Sequence, residues 1–145
     1  MRSIKEGYSK VLEFISRDNK RGQISYDTRG FTVKGAVGSE DKVVLECSSS
    51  LLVDCSMSNV FEITLTENVT NISFINATIG SYIFIIKQDA VGNHTVSFPT
   101  SLCYAVDGAL PTITVTAGAI DVIGVLYDGD YFYLFPTQNF TNTVV

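Results

Sequence analysis

The sequence predicts a mainly β protein, an antiparallel β-sandwich or barrel of jelly-roll type that is preceded by a short N-terminal helix or arm. Val, Ile, Thr, Tyr and Phe dominate after about residue 60, and these residue types fit a pleated, half-buried surface. Apolar and polar residues alternate in several segments of that region. Turn residues recur about every 8 to 12 residues, which is typical of a sandwich or barrel.

Length and composition favour one folded core. The chain has 145 residues, of which 46% are hydrophobic and 17% charged, so it carries enough apolar material to offset chain entropy. The longest apolar segments, 82–86 and 122–127, are too short for a membrane span, so no membrane insertion is expected. The first residues, MRSIKEGYSKVLEF, lack the pattern of a secretory signal, so export through a signal peptide is not expected.

Charge is unevenly distributed along the chain. Residues 1–42 hold nine Lys/Arg and six acids, about +3, whereas the remainder holds one Lys and nine acids, about −8. The N-terminal bases alternate with acids and are not accompanied by an aromatic stacking platform, so no nucleic-acid partner is expected. Docking of this segment on a protein surface is the favoured interpretation.

The N-terminal segment has the apolar spacing of an amphipathic helix. Ser3 and Glu6 stand in the relation of a capping box, although Gly7 weakens a helix. Self-association, packing on the same domain and packing on a partner all remain open for this helix. The residues predicted to mediate oligomerisation or attachment to a partner share its apolar face: Ile4, Tyr8, Val11 and Ile15.

The strand pattern suggests three regions: a helix or attachment arm at 1–22, a short-strand connection at 23–58 and a β-module at 59–145. The segment 82–86 is apolar on both faces, as expected of a central strand or of one covered by a partner subunit. Asp128, Gly129 and Asp130 form the turn of the clearest hairpin. Strands are predicted at 23–26, 31–33, 42–46, 61–65, 72–75, 82–86, 95–98, 112–116, 120–127 and 131–135.

No catalytic residue, metal site or cofactor is predicted. The single histidine, His94, has neither a nucleophile motif nor enough companions for a zinc site. The cysteines at 47, 55 and 103 are expected to be reduced, although a bridge between Cys47 and Cys55 is left open. Asp121 lies in an apolar strand, so it is either solvated or fixed by a backbone donor in the core.

Aromatic residues crowd the last hairpin, and they have two interpretations. Core packing is the more common fate of such side chains, but alternate members must point outward. If those members line a groove, they favour recognition of a glycan or a protein. The candidate ligand-binding residues are Tyr127, Tyr131 and Tyr133.

The C-terminal part resembles a module that recurs in tailed-phage virion and tail-fibre proteins. The resemblance covers a little over half the chain and is carried by FEITLTENVTNISFINATIGSYIFIIKQD, GNHTVSFP and GALPTITVTAGAIDVIGVLYDGDYFY. Its pattern comprises N-x-x-x-G-x-x-x-x-x-x-x-Q-D, G-x-x-T-V-x-x-P and P-T-x-T-x-x-A-G-x-x-D-V-x-x-x-x-Y-D-G. The resemblance implies a β-structured module on the outside of a particle, often homotrimeric, and no catalytic residue.

The predicted function is that of a non-enzymatic virion structural protein of a tailed bacteriophage. A head fibre, a decoration protein or a small appendage is expected, with the N-terminal segment docked on a capsid, portal or tail component and the β-module outward. The alternative is a receptor-binding module of tail-fibre type that recognises a host surface glycan. Other copies of the chain, in a homotrimer, are the remaining expected partners.

Overall fold

A computed structural model of the chain describes the strands at 10–15, 21–27 and 30–34 and the continuous segment 41–141. The chain divides into two compact units, residues 1–38 and 39–145. The first unit contains an antiparallel sheet of order β1-β2-β3, formed by β1 (Lys10–Ile15), β2 (Arg21–Asp27) and β3 (Gly30–Lys34).

The predicted N-terminal helix is wrong over its second half, because Lys10–Ile15 is a strand. In this strand Val11 pairs with Ser25 and Ile15 pairs with Arg21. The segment K-V-L-E-F-I contains β-branched and aromatic residues that favour a strand. A short apolar run does not by itself distinguish the helical period of 3.6 residues from the strand period of two. The predicted residues Ile4 and Tyr8 and the capping box lie outside the described residues.

The second unit confirms the mainly β class. Its main sheet has six strands in the order β4-β6-β8-β10-β11-β9, and a small sheet pairs β5 with β7. A short 3-10 turn lies at Val106–Gly108. The strands are β4 (Val43–Leu45), β5 (Ser50–Asp54), β6 (Val60–Leu65), β7 (Asn71–Ile75), β8 (Gly80–Gln88), β9 (Cys103–Tyr104), β10 (Ile120–Tyr127) and β11 (Phe132–Phe140).

Most strands of this unit were predicted, but four segments differ. The sequence did not predict β5 or β9, and the segments 95–98 and 112–116 are not strands. Of these two segments, 95–98 keeps one parallel bridge, between Val69 and Val96. The segment 112–116 buries Ile113 but exposes Val115, so it does not alternate as a strand would.

Strand pairing also differs from the antiparallel prediction, because the chain winds between two sheets. Strands β4, β6 and β8 pair in parallel in the main sheet, and β5 and β7 pair in parallel in the small one. Each of these three parallel pairs is connected through a strand of the other sheet, which supplies the crossover that parallel pairing requires. Strands β4 to β8 thus wind into a short parallel coil, in which successive strands alternate between the two sheets. The antiparallel strands β10 and β11 follow it in the main sheet.

The hydrophobic core lies between the two sheets. The ring of Phe74 in the small sheet packs on two rings of the main sheet, with centroids 4.4 Å from Phe132 and 6.0 Å from Phe84. Strand β8 is central in the sheet, as predicted, but only one of its faces is fully buried. Tyr82, Phe84 and Ile86 are buried, whereas Ile83 between them is exposed. A cavity of about 20 Å³ between the sheets has only apolar lining residues, and it is a packing gap rather than a binding site.

A buried carboxylate ties two irregular segments to β10. Asp121 is 1% exposed, and its Oδ2 accepts a hydrogen bond from the backbone N–H of Thr114 at 2.7 Å. Its Oδ1 accepts one from the N–H of Asn139 at 2.8 Å, at the point where the pairing of β10 with β11 shifts register. Asp121 is therefore not solvated but fixed in the core by backbone donors, which is the second of the two predicted alternatives. It also accepts a hydrogen bond from the N–H group of Asn139, which the register shift leaves without a backbone partner in β10.

The final hairpin connects β10 to β11 through the predicted turn. Gly129 has a φ of 110°, a conformation that residues with a side chain rarely adopt. A Cβ atom at Gly129 would also lie 3.5 Å from the side chain of Ile79. The turn therefore requires glycine for its backbone conformation rather than for space.

Replacing Asp121 by alanine should lower the free energy of unfolding by about 2 to 4 kcal/mol, because the N–H groups of Thr114 and Asn139 lose their acceptor. Chemical denaturation followed by far-UV circular dichroism measures the loss. Asp130→Ala, which alters an exposed acid, is the control and should change stability by about 0.5 kcal/mol or less. Equal effects of the two substitutions would show that Asp121 does not hold these segments.

Replacing Gly129 by alanine should lower stability by about 1 kcal/mol or more, because an L-residue is disfavoured at positive φ. Gly124→Ala is the matched control, since a Cβ there would meet only ordinary contacts of 3.7 Å with Phe135. Thermal unfolding of both variants tests the turn. A melting temperature for Gly129→Ala equal to that of Gly124→Ala would contradict the assigned conformation.

Candidate functional site

The turn of the last hairpin is organised by the carboxylate of Asp128. Its Oδ1 accepts hydrogen bonds from the backbone N–H groups of Asp130 at 2.9 Å and Tyr131 at 2.7 Å. Its Oδ2 accepts a hydrogen bond from the hydroxyl of Tyr133 at 3.0 Å. Asp128 therefore shapes the turn and orients a tyrosine of the following strand at the same time.

Three tyrosines cluster beside this turn, and we call them the tyrosine cluster: Tyr104, Tyr131 and Tyr133. The ring centroid of Tyr104 lies 4.7 Å from that of Tyr131 and 5.7 Å from that of Tyr133, with both ring pairs tilted. Tyr104 is 47% exposed and Tyr131 37% exposed, and Tyr133 is half-buried. The rings thus form a continuous aromatic surface that is open to solvent.

The third predicted ligand residue, Tyr127, lies apart from the cluster. Its ring stacks on the buried ring of Phe132 at 4.4 Å and packs against the hydrophobic core. Its hydroxyl donates to the carbonyl oxygen of Gly129 at 2.6 Å. Of the predicted residues, the structure therefore brings Tyr131 and Tyr133 together and places Tyr127 on the core side of the hairpin.

Tyr104 was missed by the sequence analysis. It belongs to β9, which pairs in parallel with β11 so that Tyr104 lies opposite Tyr133. β9 has only two residues, Cys103 and Tyr104, which is too short for an alternating pattern to reveal it. No local signal in the sequence connects Tyr104 to a hairpin that begins sixteen residues later.

Hydrogen bonds set the protonation of the cluster. The pKa of the Asp128 carboxyl is lowered, first by the N–H of Tyr131 and then by that of Asp130. The hydrogen bond to Asp128 raises the pKa of Tyr133, and the hydrogen bond with Tyr131 raises the pKa of Tyr104. At neutral pH Tyr104 and Tyr133 are therefore neutral phenols beside an ionised carboxylate.

The histidine and the cysteines contact groups of the fold itself and do not form a catalytic or metal site within the described residues. The imidazole of His94 lies 3.3 Å from a carboxylate oxygen of Asp89, and the same oxygen accepts the N–H groups of Val91 and Gly92. Cys47, Cys55 and Cys103 are free thiols, and burial raises the pKa of Cys55 and of Cys103 to about 11. Within the described residues, His, Cys, Asp and Glu form no group of three or more that could hold a metal ion.

Two residues of the sequence pattern quoted above, Gln88 at the end of β8 and Gly92 in the loop after it, also hold the fold together. Gln88 is buried, and its amide nitrogen donates to the carbonyl oxygens of His94 at 2.7 Å and Thr114 at 2.9 Å. Its amide oxygen accepts from the N–H of His94 at 3.1 Å. A Cβ at Gly92 would lie 2.6 Å from the backbone nitrogen of Ala117, so only glycine fits this close approach. These residues hold two loops together rather than forming a ligand site.

Within the described part of the chain, the structure contains no helix long and apolar enough to cross a membrane.

Comparison with known proteins identifies a family described as "Putative phage tail fibre C-terminal domain", which matches residues 50–131. Neither a curated protein nor a solved structure matches the chain. The family match covers more than half of the sequence, including strands β5 to β10 and the turn of the last hairpin. The chain therefore belongs to this family of phage tail fibre C-terminal domains and is a phage structural or appendage protein.

Proposed function

We propose that this chain is a small, non-enzymatic appendage of a tailed-phage virion, a head fibre, decoration protein or short fibre. In this proposal the N-terminal segment docks on a capsid, portal or tail component and the β-module projects outward. The observation that carries the proposal is the position of the family match, which lies within the second compact unit and leaves residues 1–38 outside it. A separate N-terminal unit is then available for attachment.

Charge supports this orientation. Residues 1–42 carry nine Lys/Arg against six acids, and the remainder carries one Lys against nine acids. An acidic docking surface on the particle would attract the N-terminal segment and repel the rest of the chain. The proposed attachment residues remain Ile4, Tyr8, Val11 and Ile15, of which Val11 and Ile15 belong to strand β1.

We also propose that the chain assembles with copies of itself, as a homotrimer. The outer face of the main sheet supports this idea, because it carries exposed apolar side chains on three neighbouring strands: Ile83 on β8, Leu126 on β10 and Phe135 on β11. Ile83 and Phe135 lie opposite Gly124 on its two sides, so the two large side chains flank a position that has none. A contiguous apolar surface of this kind is typical of an interface.

Receptor binding is the second candidate function. The specific observation in its favour is the solvent-open tyrosine cluster at the tip of the last hairpin. In this reading the chain recognises a glycan on the host surface, as a tail-fibre tip would. Attachment through the first unit is compatible with recognition through the second. Assembly through the outer face of the main sheet is compatible with recognition where it leaves Tyr104 and Tyr131 exposed, because Tyr133 of the cluster lies opposite Leu126 on that face.

The attachment proposal predicts that the double variant Arg17→Gln/Lys20→Gln binds particles lacking the protein more slowly than the unmodified chain, by roughly ten-fold at low salt. Surface plasmon resonance on immobilised particles measures the association rate. The matched control is Arg29→Gln/Lys34→Gln, which removes the same charge from residues beyond the segment 1–22 and should keep the original rate. Equal slowing by both variants would place attachment in the whole first unit, and slowing by neither would contradict the proposed orientation.

The assembly proposal predicts a trimer mass by light scattering at micromolar concentration. Phe135→Glu should shift the mass toward the monomer, because it places a charge on the outer face of the main sheet. Leu52→Glu is the matched control, since Leu52 is 58% exposed and Phe135 55% exposed, but Leu52 belongs to the small sheet. A monomer mass for the unmodified chain would overturn the proposal, and dissociation by Leu52→Glu alone would move the interface to the other sheet.

A further inference from the structure

We propose that the tyrosine cluster is a binding site for an uncharged sugar of the host surface, with Tyr104 and Tyr131 as the stacking residues. This inference deepens the receptor-binding function proposed above and rests on it. It adds a residue that the sequence did not indicate, Tyr104, removes Tyr127 from the site, and specifies the charge of the ligand.

The first step is that the cluster keeps aromatic surface in solvent despite its internal contacts. Tyr104 remains 47% exposed although its ring contacts those of Tyr131 and Tyr133. The neighbouring ring of Tyr127 shows the alternative, because it is packed on Phe132 against the core. Packing in the core therefore does not account for the three rings of the cluster.

The second step is that strand pairing and hydrogen bonds within the protein hold the cluster in place. The backbone of Tyr133 pairs with that of Tyr104, and the hydroxyl of Tyr133 is held by Asp128. Asp128 is in turn fixed by the N–H groups of Asp130 and Tyr131. Because the rings are already placed, a ligand would lose little free energy in ordering them.

The third step is the match of chemical groups. The face of a phenol ring carries partial negative charge and attracts weakly positive C–H groups, such as those on one face of a pyranose ring. The phenol hydroxyls can donate and accept hydrogen bonds at the edge of the same ring, where a sugar carries its own hydroxyls. A purely apolar partner would remove the hydroxyls of Tyr104 and Tyr131 from water without offering them a further hydrogen bond, which disfavours it.

The fourth step concerns the charge of the ligand. The carboxylate of Asp128 lies at the cluster, and its pKa is lowered by the N–H groups of Tyr131 and Asp130, so it is ionised at neutral pH. Asp130 lies two residues away on the same turn, and residues 43–145 together carry nine acids and one Lys. Sugars bearing a carboxylate, such as sialic or uronic acids, would be repelled, whereas neutral sugars would not.

The test is binding of the full-length protein to an array that carries neutral oligosaccharides beside the same oligosaccharides extended with sialic or glucuronic acid. We expect binding to at least one neutral member and binding at least roughly ten-fold weaker to its acidic counterpart. Solution titration then follows tyrosine fluorescence, which is directly observable because the chain has seven Tyr and no Trp. Absence of binding to every neutral member, or equal binding of the acidic ones, would overturn the proposal.

Substitutions locate the site. Tyr104→Ala and Tyr131→Ala should each weaken binding by roughly ten-fold or more, whereas Tyr131→Phe, which keeps the ring, should weaken it less. The matched control is Phe140→Ala, since Phe140 is as exposed as Tyr104, at 47%, but lies at the other end of β11. Unchanged binding by both alanine variants, with a loss in Phe140→Ala, would place the sugar elsewhere on the sheet.

Attachment to particles, measured on the same variants, separates this inference from the proposed virion role. Tyr104→Ala should attach to particles as the unmodified chain does, because the cluster belongs to the second unit. Attachment without sugar binding by the unmodified chain would overturn the sugar site and leave the virion role standing. Sugar binding without attachment would overturn the proposed docking and leave the site.

Discussion

The fold of the second unit depends on the two-sided pairing of strand β8. On one side β8 pairs in parallel with β6, and on the other it pairs antiparallel with β10. Its backbone groups must therefore satisfy two different ladder geometries at once. Because alternate residues of β8 are buried from Tyr82 to Gln88, a slip of one residue would move Tyr82 and Phe84 into solvent. The register of β8 therefore determines how the parallel strand β6 and the antiparallel strand β10 of the last hairpin are aligned in the sheet.

The residues that carry the resemblance to phage fibre modules are used to hold this scaffold. Gln88 joins two loops by hydrogen bonds to their backbones. Asp121 accepts the N–H group of Asn139 where the pairing of β10 with β11 shifts register, and Asp128 accepts the N–H groups of the hairpin turn. Each is a polar group whose backbone partners would otherwise lack a hydrogen bond. The motif that ends in Y-D-G at Gly129 does not include the tyrosines of the cluster, Tyr104, Tyr131 and Tyr133. The motif residues therefore account for the scaffold and not for the cluster.

Much of the fold could be predicted because its signals are local. The alternation at 61–65 and the glycine of the last turn depend on neighbouring residues alone, and the structure confirms both. The direction of pairing could not be predicted, since a strand has the same period whether its neighbour is parallel or antiparallel. The segment Lys10–Ile15 shows another limit, because six residues rich in apolar types satisfy a helical and a strand pattern equally.

The candidate site was predictable only in part, for the same reason. Tyr131 and Tyr133 are two residues apart in one chain segment, so their common face follows from strand geometry. Tyr104 reaches them through a pairing of two residues that no periodicity records. Tyr127 precedes the turn, and its packing on Phe132 depends on the three-dimensional contact between the facing strands.

The parallel coil gives the protein a way to change length without changing its tip. Each turn of the coil pairs with its neighbours through β4, β6 and β8 on one sheet and through β5 and β7 on the other. One additional turn inserted before β4 would extend the body by about 4.8 Å, the spacing of neighbouring strands, and would leave the C-terminal hairpin as it is. In such an architecture, the length of the body can change by duplication of about twenty residues while the tyrosine cluster beside the last hairpin stays unchanged.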